Sequence, residues 1–134
     1  MQFGSLSASA AMIEFSKVEH GRDRLPAYSI QIYENGKIVF SPKKYTKTKK
    51  ISEATISAEK VLALAKKMES LGFFSWDSSK ASMSRGAQMK TLSLNFYGKQ
   101  NTITYANNME NSGLPIDTIQ KLETEIRSLA KVNE

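Results

Sequence analysis

Cysteine is absent from this 134-residue sequence and histidine occurs once, as His20; together these facts exclude several kinds of chemistry. Without cysteine there is no disulfide framework, no thiolate nucleophile and no Cys-ligated zinc or iron–sulfur site. A histidine-based metal site needs further ligands at fixed spacing, whereas only Glu19 and Asp23 stand beside His20 in a predicted loop. We therefore expect no metal and no cofactor.

Catalytic sequence patterns are also missing. No serine stands in a G-x-S-x-G elbow, and the nearest motif to a phosphate cradle is Ser84-Arg85-Gly86, which does not lead from a strand into a helix. Glu123 and Glu125 are predicted to lie on the outer part of the last helix, among Lys121 and Arg127. Charge pairing between residues four apart explains these glutamates without catalysis. We expect a non-enzymatic protein.

Long apolar runs are absent too. None approaches the roughly 18 residues that a membrane-spanning helix needs. Near the N-terminus, Ala8 and Ala10 have the A-x-A spacing of a signal-peptide cleavage site, but the basic and apolar segments of such a peptide are missing. Residues 1–11 are predicted to be a flexible leader or signal-peptide remnant, a cloning or start-site remnant being the alternative. Residues 12–134 are predicted to form a single α+β domain.

Positive charge is concentrated in one part of the chain. Residues 37–67 contain nine lysines and two glutamates, a net charge of +7, whereas the whole chain carries +6. At the centre of this region is the stretch SPKKYTKTKK, residues Ser41–Lys50. A one-sided electrostatic field of this kind attracts an acidic partner.

The first half of the chain has the alternation that is typical of strands. Met12–Val18 is predicted as a first strand, and Ala27–Tyr33 with Lys37–Ser41 as a hairpin. The turn contains Asn35-Gly36, which favours a type I′ geometry. In this hairpin Tyr28, Ile30 and Ile32 share a buried face, while Ser29, Gln31 and Tyr33 share a wetter one.

The lysine-rich stretch is predicted to lie mostly on a strand. Pro42 lacks an N–H group and is expected to bend or end the third strand. Lys44–Ile56 is then predicted as a fourth, partly irregular strand with lysines on both faces. Because charge on both faces prevents central burial, this strand is expected at a sheet edge, where lysines discourage pairing with other chains.

Two helices and a second hairpin complete the pattern. Ser57 is a predicted N-cap for a helix over Ala58–Leu71, which Gly72 stops. Residues 75–88 are predicted to form a long loop or irregular excursion. Met89–Tyr97 and Asn101–Ala106 are predicted to pair across Gly98–Gln100. Pro115 is expected in the first turn of the last helix, whose apolar stripe is Ile116, Ile119, Leu122, Ile126 and Leu129.

These elements predict an α+β fold in the order ββββ-α-ββ-α. Strands joined by short hairpins pair antiparallel, so we expect a largely antiparallel sheet of about six strands. Both helices have one apolar stripe, and we expect both stripes to cover the same face of the sheet.

Three stretches have a distinctive sequence: Pro26–Phe40, PAYSIQIYENGKIVF; Met68–Ser75, MESLGFFS; and Pro115–Ile126, PIDTIQKLETEI. Together they resemble a bacterial family of small, largely uncharacterised domains that often carry export signals. The resemblance covers nearly all of residues 12–130. It implies no established activity, and it favours a periplasmic or secreted location over a cytoplasmic one. The family commonly carries a cysteine pair where this chain has residues 20–25, so this protein lacks whatever those cysteines do.

We predict a binding module that contacts another protein or an acidic surface polymer. The lysine stretch itself is predicted to be an exposed, edge-protecting strand first and a recognition surface second. Weak nucleic-acid or polyanion binding is the alternative function. Trp76, with Phe73 and Phe74, is either a core plug or an exposed anchor. The candidate partner-binding residues are Lys43, Lys44, Tyr45, Lys47, Lys49, Lys50, Trp76 and Arg85.

Overall fold

The structure, a computed structural model, describes residues 11–18, 25–47, 49–77, 88–106 and 114–131. His20 and Arg85, most of the predicted leader and most of the predicted 75–88 loop lie outside these residues. The elements are β1 (Ile13–Lys17), β2 (Ala27–Ile32), β3 (Lys37–Lys44), β4 (Ser52–Thr55), α1 (Ala58–Ser70), a 3-10 turn (Phe73–Ser75), β5 (Lys90–Phe96), β6 (Lys99–Tyr105) and α2 (Ile116–Ala130). The predicted order ββββ-α-ββ-α is confirmed.

The six strands form one antiparallel sheet in the order β4-β3-β2-β1-β5-β6. Side chains alternate between its faces, so the register places Ile38, Ile32, Ile13 and Leu94 in one row across four strands. This row and the next, which contains Phe15 at 0% exposure, belong to one apolar core together with residues of both helices. As predicted, the two helices therefore cover one face of the sheet.

The other face of the sheet is polar. The register aligns five hydroxyl side chains in one row from β3 to β6: Ser41, Ser29, Ser16, Thr91 and Thr104. In the adjacent row, the hydroxyl groups of Ser93 and Thr102 are hydrogen-bonded at 2.8 Å. The predicted division between a buried side and a wetter side is therefore confirmed.

The β2–β3 turn differs from its predicted geometry, and the second hairpin turns at Tyr97-Gly98 instead of across Gly98–Gln100. In the β2–β3 turn Gly36 has a φ of 97° while Asn35 has a negative φ, so the turn is not type I′. Gly36 N–H donates to the Tyr33 carbonyl at 2.9 Å, as in a type I turn followed by a left-handed glycine. The type I′ turn occurs instead between β5 and β6, where Tyr97 and Gly98 have φ values of 50° and 83°.

Gly36 is required by packing as well as by its backbone conformation. A Cβ atom at this position would lie 2.0 Å from the carbonyl oxygen of Ile56, in the connection between β4 and α1. Ile56 N–H in turn donates to the Gly36 carbonyl at 2.9 Å. The hairpin turn is thus joined by direct backbone contact to the segment that leads into α1.

The prediction of a fourth strand over Lys44–Ile56 was wrong for most of its length. The strand β4 includes only Ser52–Thr55, and its partners are Lys37–Phe40. Pro42 does not end β3, which continues to Lys44 with a bulge, because Tyr28 pairs with Pro42 and Ala27 with Lys44. On the β4 side of β3, the described pairing ends at Phe40. The N–H group that Pro42 lacks is therefore not required for a hydrogen bond to β4.

The helix boundaries agree with the predicted capping residues. Ser57 Oγ accepts a hydrogen bond from Lys60 N–H at 3.2 Å, and α1 ends at Ser70, one residue before the predicted end. Gly72 follows with a φ of 98°. Pro115 precedes α2 as its N-cap residue. Among the described residues no helix is long and apolar enough to cross a membrane.

Candidate functional site

The predicted binding residues between positions 43 and 50 form what we call the lysine segment, described at residues 43–47 and 49–50. Lys43 and Lys44 end β3, and Lys43 is the bulged residue without a partner on β2. The rest of the segment lies in the connection to β4 and has no regular secondary structure. The lysine segment is therefore the end of one strand and a loop, and not the edge strand that the sequence predicted.

Tyr45 and Thr46 shape the lysine segment locally. Tyr45 has a left-handed φ of 59°, which turns the chain directly after β3. The Nζ atom of Lys44 lies 5.9 Å from the centroid of the Tyr45 ring, within the range of a cation–π contact. Thr46 is buried. One buried side chain thus anchors the segment while its neighbours face solvent.

Every described lysine of the segment is exposed. Lys43, Lys47, Lys49 and Lys50 have no ion-pair partner within the described part of the chain. The nearby Lys37 differs, because its Nζ atom lies 3.5 Å from the Glu53 carboxylate. The segment therefore presents a local excess of positive charge to solvent.

Trp76 lies in another part of the molecule. Its ring contacts the buried Phe73 ring at a centroid distance of 5.4 Å, and it packs against the core. Asn101 Nδ2 donates to the carbonyl oxygens of Phe73 and Trp76, each at 2.8 Å, which ties this turn to β6. Four strand spacings separate β6 from β3, a distance of about 19 Å. The structure does not bring Trp76 and the lysine segment together.

A buried ionic cluster is present that the sequence analysis missed. Lys90 on β5 and Glu123 on α2 are both about 5% exposed. Lys90 Nζ donates to both carboxylate oxygens of Glu123 at 3.0 Å, and the hydroxyl of Tyr105 donates to Glu123 Oε1 at 3.1 Å. The prediction that Glu123 lies on the outer part of the last helix was wrong, because its partners come from the sheet.

Two further cations surround this cluster. Arg127 Nε lies 3.8 Å from Glu123 Oε2, and Lys17 Nζ lies 5.5 Å from the centroid of the Tyr28 ring. Burial lowers the pKa of Lys90 below its ordinary value, although the Glu123 carboxylate opposes that shift. Burial and the same carboxylate raise the pKa of Tyr105 far above its ordinary value. At neutral pH Tyr105 is therefore a hydrogen-bond donor.

The cluster fastens α2 to the sheet. Glu123 accepts three hydrogen bonds from β5 and β6, so its carboxylate is occupied by groups of the protein itself. A signal for it exists in the sequence: Lys90 stands at the inward period-two positions with Leu92 and Leu94, and Glu123 stands within the apolar stripe of α2. An inward lysine opposite an inward glutamate is typical of a buried pair.

Elsewhere in the described residues, no group of three or more His, Cys, Asp or Glu side chains could hold a metal ion. A family model whose description is a domain of unknown function matches residues 21–130. No curated protein matches the chain. The resemblance to a family without an established activity is thereby confirmed.

Proposed function

The chain belongs to the domain of unknown function family DUF6438, and from that premise we propose a function based on its geometry. We propose that it is a non-enzymatic binding module whose lysine segment contacts acidic groups on another protein or on a surface polymer. The observation that carries this proposal is the set of four exposed lysines between positions 43 and 50 without ion-pair partners in the described part of the chain.

The chemistry of the lysine segment favours an extended acidic partner. Lysine ammonium groups are compact point charges on flexible stems, which suit a row of carboxylates better than a rigid bidentate ligand. The segment lies at the end of β3, beyond the part of that strand that β4 covers, so a partner can approach it from the open side. Trp76 is left out of this surface because it is tied to β6, four strand positions away from β3, and packs against the core.

The buried polar groups support a non-catalytic role. Lys90 and Tyr105 both donate hydrogen bonds to Glu123, and all three side chains are almost completely covered. A general acid or base must reach its substrate. In this cluster the reactive atoms instead join α2 to the sheet, which is a structural task.

The test is a binding titration with two labelled probes of equal net charge, a poly-glutamate peptide and a single-stranded oligonucleotide, at several salt concentrations. The substitutions K47Q/K49Q/K50Q should weaken peptide binding about tenfold, because exposed ion pairs contribute about 0.2–1 kcal/mol each. The matched control K60Q/K66Q/K121Q removes the same charge from exposed helix positions and should change the affinity less than twofold.

Two outcomes would contradict the proposal. Equal weakening by both triple variants would mean that net charge alone, and not the lysine segment, attracts the peptide. Binding of the oligonucleotide alone, with an affinity that falls steeply as salt is added, would favour the nucleic-acid alternative, since the release of condensed counterions produces such a slope.

A further inference from the structure

A small cleft lies where both hairpin turns approach the start of α1. We call it the Tyr97 cleft; it has a volume of about 180 Å³ and is lined by Met12, Glu34, Ala58, Glu59, Leu62 and Tyr97. Its lining residues come from the segment before β1, from the two turns and from the first turns of α1. The lysine segment contributes no residue to it.

The walls of the cleft are apolar and firmly held. Met12 is buried, and its backbone is hydrogen-bonded on both sides, from its own N–H to Ile32 at 2.9 Å and from the Asn95 N–H at 2.8 Å. The Tyr97 ring contacts the Phe96 ring at a centroid distance of 4.4 Å and a tilt of 41°, yet 71% of Tyr97 is exposed. An ordered, exposed aromatic ring next to an apolar floor is suited to contact with a ligand.

Tyr97 also occupies a backbone position that does not favour tyrosine. It is the first of the two central residues of a type I′ turn, with a φ of 50°, where asparagine or aspartate before glycine is preferred. A non-glycine residue in this left-handed region costs about 1 kcal/mol or more. The conformation of this turn therefore does not explain why the residue at position 97 is a tyrosine.

Two glutamates are among the residues that line the cleft. Glu34 and Glu59 are exposed, and neither has an ion-pair partner among the described residues. A cavity of this volume holds about six non-hydrogen atoms, at roughly 30 Å³ for each. Apolar walls that also include two glutamates suit a short aliphatic chain that ends in a cation.

We propose that the Tyr97 cleft binds an alkylammonium group of about five carbons. The ammonium group lies at the two carboxylates, and the chain lies against Met12, Leu62 and the Tyr97 ring. The same chemistry is presented by a free alkylamine and by a lysine side chain. The two sources differ in the peptide backbone that a lysine carries.

The experiment follows the backbone amide signals of residues 34, 59, 62 and 97 by NMR during titration with n-pentylammonium. Saturable shifts at these positions are expected, with at least tenfold weaker binding of 1-pentanol, which has the same length but no charge. A parallel titration with an Nα-acetyl-lysine amide separates the sources: tighter binding assigns a lysine side chain, and weaker binding a free amine. Equal binding of pentylammonium and pentanol, or no saturable shift, would overturn the proposal.

Two variants make the test specific. E34Q/E59Q should weaken pentylammonium binding about tenfold, whereas the control E69Q/E125Q, which removes the same charge elsewhere, should change it less than twofold. Tyr97→Asn removes the ring and introduces the Asn-Gly pair that type I′ turns favour. It should keep or raise the melting temperature and abolish binding. Unchanged binding by Tyr97→Asn, or equal losses in the two charge variants, would contradict the assignment.

Discussion

Helix α2 makes two lysine–glutamate ion pairs, one with the sheet in the core and one with α1 at the surface. Lys90 and Glu123 are 3.0 Å apart, with side chains that are 5% exposed. Lys67 on α1 and Glu125 on α2 are also 3.0 Å apart, with side chains that are 55% and 40% exposed. Two glutamates separated by one residue on the same helix thus have partners at the same distance, one in the core and one in water.

The difference shows that distance does not determine what an ion pair contributes. Water screens the Lys67–Glu125 pair, and its flexible side chains lose entropy when they meet. Lys90 and Glu123 have lost their hydration, so each depends on the other and on Tyr105 to offset that loss. Removing one partner should therefore have very different results in the two places.

The largest expected effect is that of Lys90→Met. This change leaves the Glu123 carboxylate buried without its main partner, so the free energy of unfolding should fall by about 3–5 kcal/mol. Urea denaturation measures the change. The double variant K90M/E123M removes both charges and should recover part of the loss, but not all of it, because the buried Tyr105 hydroxyl then lacks its acceptor. A loss below about 1 kcal/mol for Lys90→Met would mean that the pair behaves like an exposed one.

Tyr105→Phe should have the next largest effect. It deletes the 3.1 Å hydrogen bond to Glu123 and leaves the shape of the ring unchanged. Hydrogen bonds to charged groups contribute about 1.5–3 kcal/mol, and the unfolding free energy should fall by that amount. Tyr97→Phe is the matched control, because it deletes a hydroxyl from an exposed ring. Equal losses in the two variants would contradict the role of the cluster.

The stability of the protein at alkaline pH should distinguish the contribution of Tyr105 from that of Lys90. The pKa of Tyr105 is raised in the folded state, so its contribution is complete below pH 10 and is lost as the pH rises above that value. Relative to Tyr105→Phe, the native protein should lose about 1 kcal/mol of unfolding free energy between pH 10 and pH 11. The lowered pKa of Lys90 acts in the opposite direction below pH 10.5 and largely cancels in this comparison. Parallel pH profiles for the two proteins would contradict the assignment.

The smallest expected effect is that of Lys67→Gln. Its partner Glu125 remains hydrated, so the unfolding free energy should fall by less than about 1 kcal/mol. The loss should shrink further when salt is added, because exposed charges are screened. Denaturation at two salt concentrations measures both effects. A loss that matched that of Lys90→Met would remove the distinction between the two pairs.

The sequence predicted most of the fold because its signals are local and repeated. The stripe from Ile119 to Ile126 identifies α2 without knowledge of what it contacts, and Ser57 is a capping residue whose partner lies three residues away. The type I′ turn was assigned to the wrong hairpin because Asn35-Gly36 is compatible with two turn geometries. In the structure the turn is type I followed by a left-handed glycine, and in this geometry Gly36 contacts Ile56, a residue distant in sequence.

The candidate site was harder to predict because it depends on contacts between residues that are distant in sequence. The exposure of the lysines followed from their density. Whether a stretch such as Lys44–Ile56 becomes a strand depends instead on how far it pairs with a neighbour, and its pairing with β3 includes only Lys37–Phe40 of that strand. Glu123 stands within the apolar stripe of α2, but its burial depends on partners from the sheet, Lys90 and Tyr105, which are distant in sequence. The binding role of the lysine segment stays a prediction.

The three described glycines with positive φ differ in what surrounds them, and this difference has a consequence for mutational tolerance. Nothing lies within 4 Å of a Cβ atom built on Gly98, whereas one built on Gly36 would overlap the Ile56 carbonyl. In a scan of all single substitutions, position 98 should accept asparagine, while position 36 should accept no other residue. Any replacement at Gly36 has to displace the chain that leads into α1, and with it the wall of the Tyr97 cleft.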